Sequence, residues 1–211
     1  MRLRRKPWID EAIKDYSDFL HLESCESYKG KWRSLFKNPD APLWVELGTG
    51  KGNFISQMAQ IHKDVNFIGI EIQVGVLYYA GKKCAAAEVD NVQLLRFDVA
   101  RLEDIFAPGE VDRIYINFCD PWPKKRHAKR RLTYRGFLDR YARLLRENGQ
   151  IYFKSDNAGL FDFTLDEFRE CGWPLSEVTY DLHNSPILNE AMTEYEAKFS
   201  AKGQPIFHCV A

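Results

Sequence analysis

No apolar run of about 18 residues or more occurs in the 211-residue chain, so a membrane-spanning helix is not expected. The basic first ten residues have no apolar segment after them, so a secretory signal is not expected either, and the chain reads as cytoplasmic. Cysteine is sparse and unpatterned. Cys25, Cys84, Cys119, Cys171 and Cys209 are odd in number and never form a Cys-x-x-Cys pair, which argues for reduced thiols over a disulfide framework or a zinc site. No structural metal is therefore expected. Internal repeats and low-complexity tracts are also missing, and so is any excess of charge, with Lys+Arg 30 against Asp+Glu 30.

What is present is a chain 45% hydrophobic, enough to bury a substantial core, and of a length that suits one domain with short appendages. The balanced charge is unevenly distributed. Between Lys124 and Arg146 the chain carries Lys124, Lys125, Arg126, Lys129, Arg130, Arg131, Arg135, Arg140, Arg143 and Arg146 against the single acid Asp139, whereas residues 160–200 are strongly acidic. Such asymmetry says more about partners than the total does.

Apolar runs at residues 43–47, 66–70, 92–97, 113–118 and 150–154 read as strands, each followed by a helical or turn segment. Helices are predicted near residues 54–61, 74–87, 101–106, 134–145 and 159–171, with Asn148-Gly149 as a stop signal for the fourth. This alternation predicts an α/β fold with a doubly wound, mostly parallel sheet. Beyond Trp173, strand-like stretches at 175–182, 194–199 and 206–210 predict a C-terminal antiparallel pair. Residues 1–40, with Arg2, Arg4, Arg5, Lys6 and a helix expected at 10–20, read as a basic, helical N-terminal arm preceding a domain over 41–211. Tyr78, Tyr79, Phe137, Leu138, Tyr141 and Leu144 recur at helical spacing and read as core or boundary positions.

In open α/β sheets ligands bind beyond the carboxyl ends of the strands. The first such loop is Glu46-Leu47-Gly48-Thr49-Gly50-Lys51-Gly52, whose Gly-x-Gly-x-Gly spacing differs from the dinucleotide fingerprint. The second strand ends at Glu71, where a carboxylate can accept both hydroxyls of a ribose, and the third at Asp98, which can read an adenine edge or simply cap the helix that follows. Glu46 can face the positive charge of an ammonium or sulfonium. Three acids around one glycine loop disfavour a phosphate ligand and with it a nicotinamide oxidoreductase. The ordered set resembles the class I (Rossmann-like) methyltransferase signature, which implies S-adenosyl-L-methionine as cofactor, held by Glu46, Gly48, Gly50, Glu71 and Asp98.

After the fourth strand comes Asn117-Phe118-Cys119-Asp120-Pro121-Trp122-Pro123-Lys124-Lys125-Arg126-His127-Ala128-Lys129-Arg130-Arg131. Its prolines stiffen a loop that holds Asp120 at the strand end, beside the expected methyl donor. Six cations among the eight residues 124–131 make an electrostatic footprint for a phosphate backbone. Trp122 can stack on a base or pack against its prolines, and His127 reads as an incidental loop residue or a phosphate contact. The segment from Asp120 through the basic cluster resembles the hallmark of the bacterial tRNA (guanine-N7)-methyltransferases. Lys154-Ser155-Asp156-Asn157 and the stretch from Thr193 to Phe199 are similar to other parts of that family.

The resemblance implies methyl transfer to N7 of the variable-loop guanine of tRNA, position 46, with Asp120 as the catalytic residue and a further contact to the cofactor. It also implies substrate contacts from Lys124, Asp156, Thr193, Glu194, Tyr195 and Glu196, and RNA contact by Arg126, His127, Ala128, Lys129, Arg130 and Arg131. The partner is then tRNA, with no membrane and no metal, and the protein a monomer or homodimer. Two alternatives are an RNA exocyclic-amine methyltransferase, since an Asp-Pro-aromatic sequence after strand four also resembles that loop, and a non-catalytic RNA-binding protein with a methyltransferase fold.

Overall fold

The computed structural model describes residues 6–211, so Arg2, Arg4 and Arg5 lie outside the described residues. Eight strands form one sheet: β1 (Leu20–His21), β2 (Leu43–Leu47), β3 (Asn66–Glu71), β4 (Val92–Arg96), β5 (Val111–Asn117), β6 (Leu145–Ser155), β7 (Ser176–Thr179) and β8 (Phe207–Val210). Their order is β1-β4-β3-β2-β5-β6-β8-β7, parallel from β1 to β6, with β8 antiparallel to both β6 and β7. The chain moves outward from β2 through β3 and β4, then returns to lay β5 on the other side of β2. That reversal opens a crevice between the carboxyl ends of β2 and β5.

Parallel strands covered on both faces must be apolar on both. Leu43, Val45, Leu47, Ile68, Ile70, Ile114, Ile116, Ile151 and Phe153 enter one core layer, and Phe67, Leu94 and Tyr115 the other. Helices α1 (Ile9–Ala12), α2 (Asn53–Ile61) and α3 (Val74–Ala86) cover the second layer, contributing Ile9, Phe54, Met58, Leu77 and Cys84. The first is covered by α4 (Leu102–Ile105), α5 (Arg135–Leu144) and α6 (Ala158–Glu170), through Ile105, Leu138, Tyr141, Phe161 and Phe168.

Four expectations differ from the structure. The helix expected over 10–20 is α1 and a 3-10 turn (Ile13–Tyr16), after which the chain turns to the sheet edge and Phe19 accepts from Leu94 N at 2.7 Å. The described part of the expected arm is consequently built into the core: Ile9, Ile13, Leu20, Cys25, Trp32 and Phe36 are buried, and Trp32 Nε1 donates to Ile105 O at 2.7 Å. The Asn148-Gly149 pair does not end a helix. α5 stops at Leu144, and these residues turn the chain inside β6, between the pairs Leu145 with Val111 and Gln150 with Arg113. Asn148 has φ +63°, and a Cβ on Gly149 would lie 2.9 Å from Arg146 O. Finally, residues 194–199, expected as a strand, form α7 (Glu194–Ser200), with Thr193 Oγ1 accepting from Glu196 N at 3.0 Å.

Candidate cofactor and RNA site

The glycine loop leaves β2 between two constraints. Gly48, at φ +76°, would direct a Cβ into open space, whereas Gly52, at φ +80°, would drive one to 2.7 Å from Ala80 Cα on α3. Gly48 therefore leaves bare backbone at the cavity that opens over the strand ends, and Gly52 lets α2 and α3 close together. Gly48 N and Thr49 N both donate to Ile70 O at 2.9 Å, fastening the loop to β3.

Beneath the loop lies Glu46, 3% exposed, accepting from Thr49 Oγ1 at 2.5 Å and from Asn117 Nδ2 at 3.0 Å. Burial pushes its carboxyl up to about 8, against the lowering effect of those two hydrogen bonds and of Lys154. Its side chain ties the end of β2 to the end of β5 rather than facing open space.

A cavity of about 490 Å³ opens over the strand ends, lined by Gly48, Glu71, Ile72, Phe97, Asp98, Asn117, Phe118, Asp120, Trp122 and Arg130 among others. It brings together Gly48, Glu71, Asp98 and Asp120, whereas Glu46 and Gly50 do not line it. Glu71 accepts from Gln73 N through Oε1 at 2.9 Å, and Asp98 Oδ1 caps the turn Val99–Arg101 by accepting from Ala100 N at 2.8 Å. Asp98 thus does what a helix cap does while also lining the cavity. Asn117 Oδ1 is buried with no hydrogen-bond partner, an acceptor left open where the cavity meets the sheet.

Asp120 is exposed on a tightly turned segment in which Phe118 (φ +52°) and Trp122 (φ +41°) both occupy the left-handed region. Two non-glycine residues in that region within five positions cost about 1–3 kcal/mol each and mark a segment held by its surroundings. Arg131 is part of that hold: its Nε and Nη2 donate to Pro121 O and Trp122 O, both at 3.1 Å, and its guanidinium lies 4.3 Å from the Phe163 ring. Arg130 stacks over Trp122 at 4.9 Å, and His127 meets the same indole edge-on at 5.7 Å. Trp122 thus packs within its own loop while keeping a surface in the cavity. Lys124, Arg126 and Lys129 are exposed, with His127 and Ala128 half-buried between them on the 3-10 turn Lys125–Arg130.

At the end of β6, Asp156 Oδ2 accepts from Tyr195 Oη at 2.7 Å and from Gln204 Nε2 at 2.9 Å, and the Tyr195 ring lies 5.1 Å from Phe118. The neighbouring residues are engaged in holding α7. Thr193 caps it, Glu194 pairs with Lys83, and Glu196 has no exposed surface. Glu196 accepts from Lys154 Nζ at 3.2 Å and Asn189 Nδ2 at 2.7 Å, and faces His183 Nε2 at 3.2 Å. Burial lowers the Lys154 ammonium from its ordinary value, and Glu196 opposes that shift. Lys154 and Asn117 stand within motifs of the sequence, which assigns neither of them a role. A lysine inside the apolar run Ile151-Tyr152-Phe153-Lys154 was the available signal, because a charge on a buried strand requires a partner.

Among the described residues no group of His, Cys, Asp and Glu could hold a metal ion, and no helix is long and apolar enough to cross a membrane. Residues 40–209 match the family model described as "Putative methyltransferase". The chain is 50% identical over 207 residues to the tRNA (guanine-N(7)-)-methyltransferase of Bacillus subtilis (strain 168), covering 98% of this chain and 96% of that protein. It is 51% identical over 211 residues to the protein of the same name from Bacillus licheniformis, covering 100% and 98%. Among solved structures, the 16S rRNA methyltransferase KamB superposes with a TM-score of 0.60 at 11% identity, over 84% of this chain and 87% of that one. An antibiotic-related methyltransferase superposes with a TM-score of 0.58 at 16% identity, over 100% and 94%. At these identities the superpositions show the class I methyltransferase fold alone.

Proposed function

Because the chain belongs to the tRNA (guanine-N(7)-)-methyltransferase family, we propose that it methylates N7 of the variable-loop guanine of tRNA from S-adenosyl-L-methionine, in the cytoplasm, with Asp120 at the reacting centre. The observation that carries the site assignment is the single cavity in which Gly48, Glu71 and Asp98 meet Asp120. The residues suit the cofactor. The unpartnered Asn117 Oδ1 offers an acceptor for an ammonium, Glu71 keeps Oε2 for ribose hydroxyls, and Asp98 keeps Oδ2 beside the apolar Ile72, Phe97 and Val99 that can flank an adenine. Glu46 positions the glycine loop and Asn117. When bound, S-adenosyl-L-methionine supplies an electrophilic methyl on a sulfonium.

Guanine N7 carries a lone pair and no proton, so this chemistry needs positioning and charge stabilisation rather than a general base. Asp120 can accept from the N1-H and N2-H edge of guanine, which adenine lacks, and can stabilise positive charge developing on the purine. Asp156, oriented by Tyr195 and Gln204, offers a second acceptor nearby, and Lys124, Arg126 and Lys129 supply cations for the backbone.

Incubating purified protein with unmodified tRNA and labelled S-adenosyl-L-methionine, then mapping nucleosides, is expected to yield 7-methylguanosine. Methylation of an exocyclic amine would reject the N7 reading, and failure to bind the cofactor would favour a non-catalytic RNA-binding role. Asp120→Asn should slow single turnover on the order of 10²-fold while retaining tRNA binding.

A further inference from the structure

A second cavity, of about 540 Å³, lies beyond the glycine loop, between the N-terminal segment and the first turn of α3. It shares Gln73 with the cofactor cavity, so the two are neighbours, and none of the basic residues 124–131 lines it. Its lining includes Lys6, Lys51 and Arg96 against one acid, Asp10, around the face of Tyr79. Lys6 Nζ donates to Tyr79 Oη at 2.9 Å, and the Lys6 and Lys51 ammoniums lie 5.5 and 5.7 Å from the Tyr79 ring. Lys51 and Arg96 are exposed, and neither is in an ion pair among the described residues. The field is strong enough to lower the Tyr79 phenol from its ordinary value, chiefly through the Lys6 hydrogen bond and then through Lys6, Lys51 and Lys82.

Unpaired cations converging on a concave, partly apolar surface leave a positive potential that an anion can relieve. The three acids at the cofactor site make the neighbouring cavity a poor phosphate site, whereas this one has the opposite sign. We propose that the cleft between α1 and α3 binds a backbone phosphate and ribose of the tRNA substrate, held by Lys51 and Arg96. The polynucleotide would then be gripped on both sides of the cofactor cavity, by this cleft and by the loop at 124–131. The inference rests on the tRNA reading above. The first turn of α3 adds its amide dipoles on the same side of the cleft.

The test is tRNA binding by fluorescence anisotropy across salt concentrations, with S-adenosyl-L-methionine affinity by calorimetry in parallel. For Lys51→Gln combined with Arg96→Gln, the log-log salt slope should become shallower by roughly 0.7–0.9, the value of one phosphate contact, with cofactor affinity unchanged within about twofold. The charge-conserving pair Lys51→Arg and Arg96→Lys should keep the wild-type slope, which separates charge from local packing. An unchanged slope in the glutamine variant would overturn the proposal, as would a loss of cofactor affinity at constant slope, which would assign the cleft to the cofactor. If wild type binds and methylates tRNA while both variants match it, the cleft assignment alone fails. A wild-type protein that neither binds nor methylates tRNA would sink the functional reading, and this inference with it.

Discussion

Glu46 shows how one side chain can serve a ligand site without lining it. Both oxygens are engaged, by Thr49 and Asn117, and burial holds its proton to about 8, well above the ordinary 4.5. A carboxyl whose folded value is raised binds its proton more tightly in the native state than in the unfolded chain. The stability it contributes is therefore complete below about 4.5 and is lost as pH climbs through about 8. Urea unfolding of the ligand-free protein should accordingly show stability declining between roughly pH 5 and 8, and Glu46→Gln should flatten that decline. A cationic ligand arriving nearby favours the ionised form, so cofactor binding near neutrality should release a proton, read by calorimetry in buffers of different ionisation enthalpy. Equal heats in all buffers would mean that Glu46 keeps one protonation state throughout. The acids at strand ends were legible from sequence because strands end where the apolar run ends, which fixes Glu71 and Asp98 at the crevice. That Glu46 points under the loop was not legible, since its direction depends on Asn117, 71 positions away.

At the scale of elements, the parallel strands and their helices were readable because burial on both faces leaves long apolar runs, and α7 was not. Tyr195, Ala197 and Phe199 alternate with polar residues as in a strand, yet Tyr195 and Phe199 also lie four apart and stack at 4.3 Å on one helical face. Thr193 followed three positions later by Glu196 is the capping-box spacing, the local signal that favours the helix. What fixes α7 to the sheet is the Lys154–Glu196 pair at 3.2 Å, with side chains 9% and 0% exposed. Removing one member of such a pair strands the other charge in the interior. Glu196→Ala should therefore lower unfolding stability in denaturant titrations by about 3–5 kcal/mol. Lys154→Met combined with Glu196→Leu should recover most of that loss. A double variant as unstable as the single would show that Glu196 acts through Asn189 and His183 instead. Because Tyr195 on this helix holds Asp156, the same single substitution should also weaken turnover on tRNA in protein that remains folded.

For the whole molecule, zero formal net charge leaves nothing to draw a polyanion except the uneven placement of charge, and the loop at 124–131 is the densest concentration of cations in the sequence. The sequence treats its cations alike; the structure separates them. Arg126 and Lys129 are exposed and free to meet phosphate, Arg130 is stacked on Trp122, and Arg131 is bonded to the carbonyls of the turn that carries Asp120. Affinity and catalysis should therefore divide within one loop. Arg126→Ala with Lys129→Ala should make the salt dependence of tRNA binding shallower by about 1 to 2, because two neutralised phosphates are lost, and should leave the saturated single-turnover rate near wild type. Arg131→Ala should do the reverse. With its two donors gone, Pro121 and Trp122 are no longer pinned, Asp120 drifts from the guanine, and the rate should fall on the order of 10- to 10²-fold at nearly constant slope. Binding titrations across salt, paired with single-turnover rates at saturating tRNA, decide between the two roles. If Arg131→Ala flattens the slope as much as the exposed pair does, its guanidinium meets RNA directly and the bracing of Asp120 falls to the prolines alone.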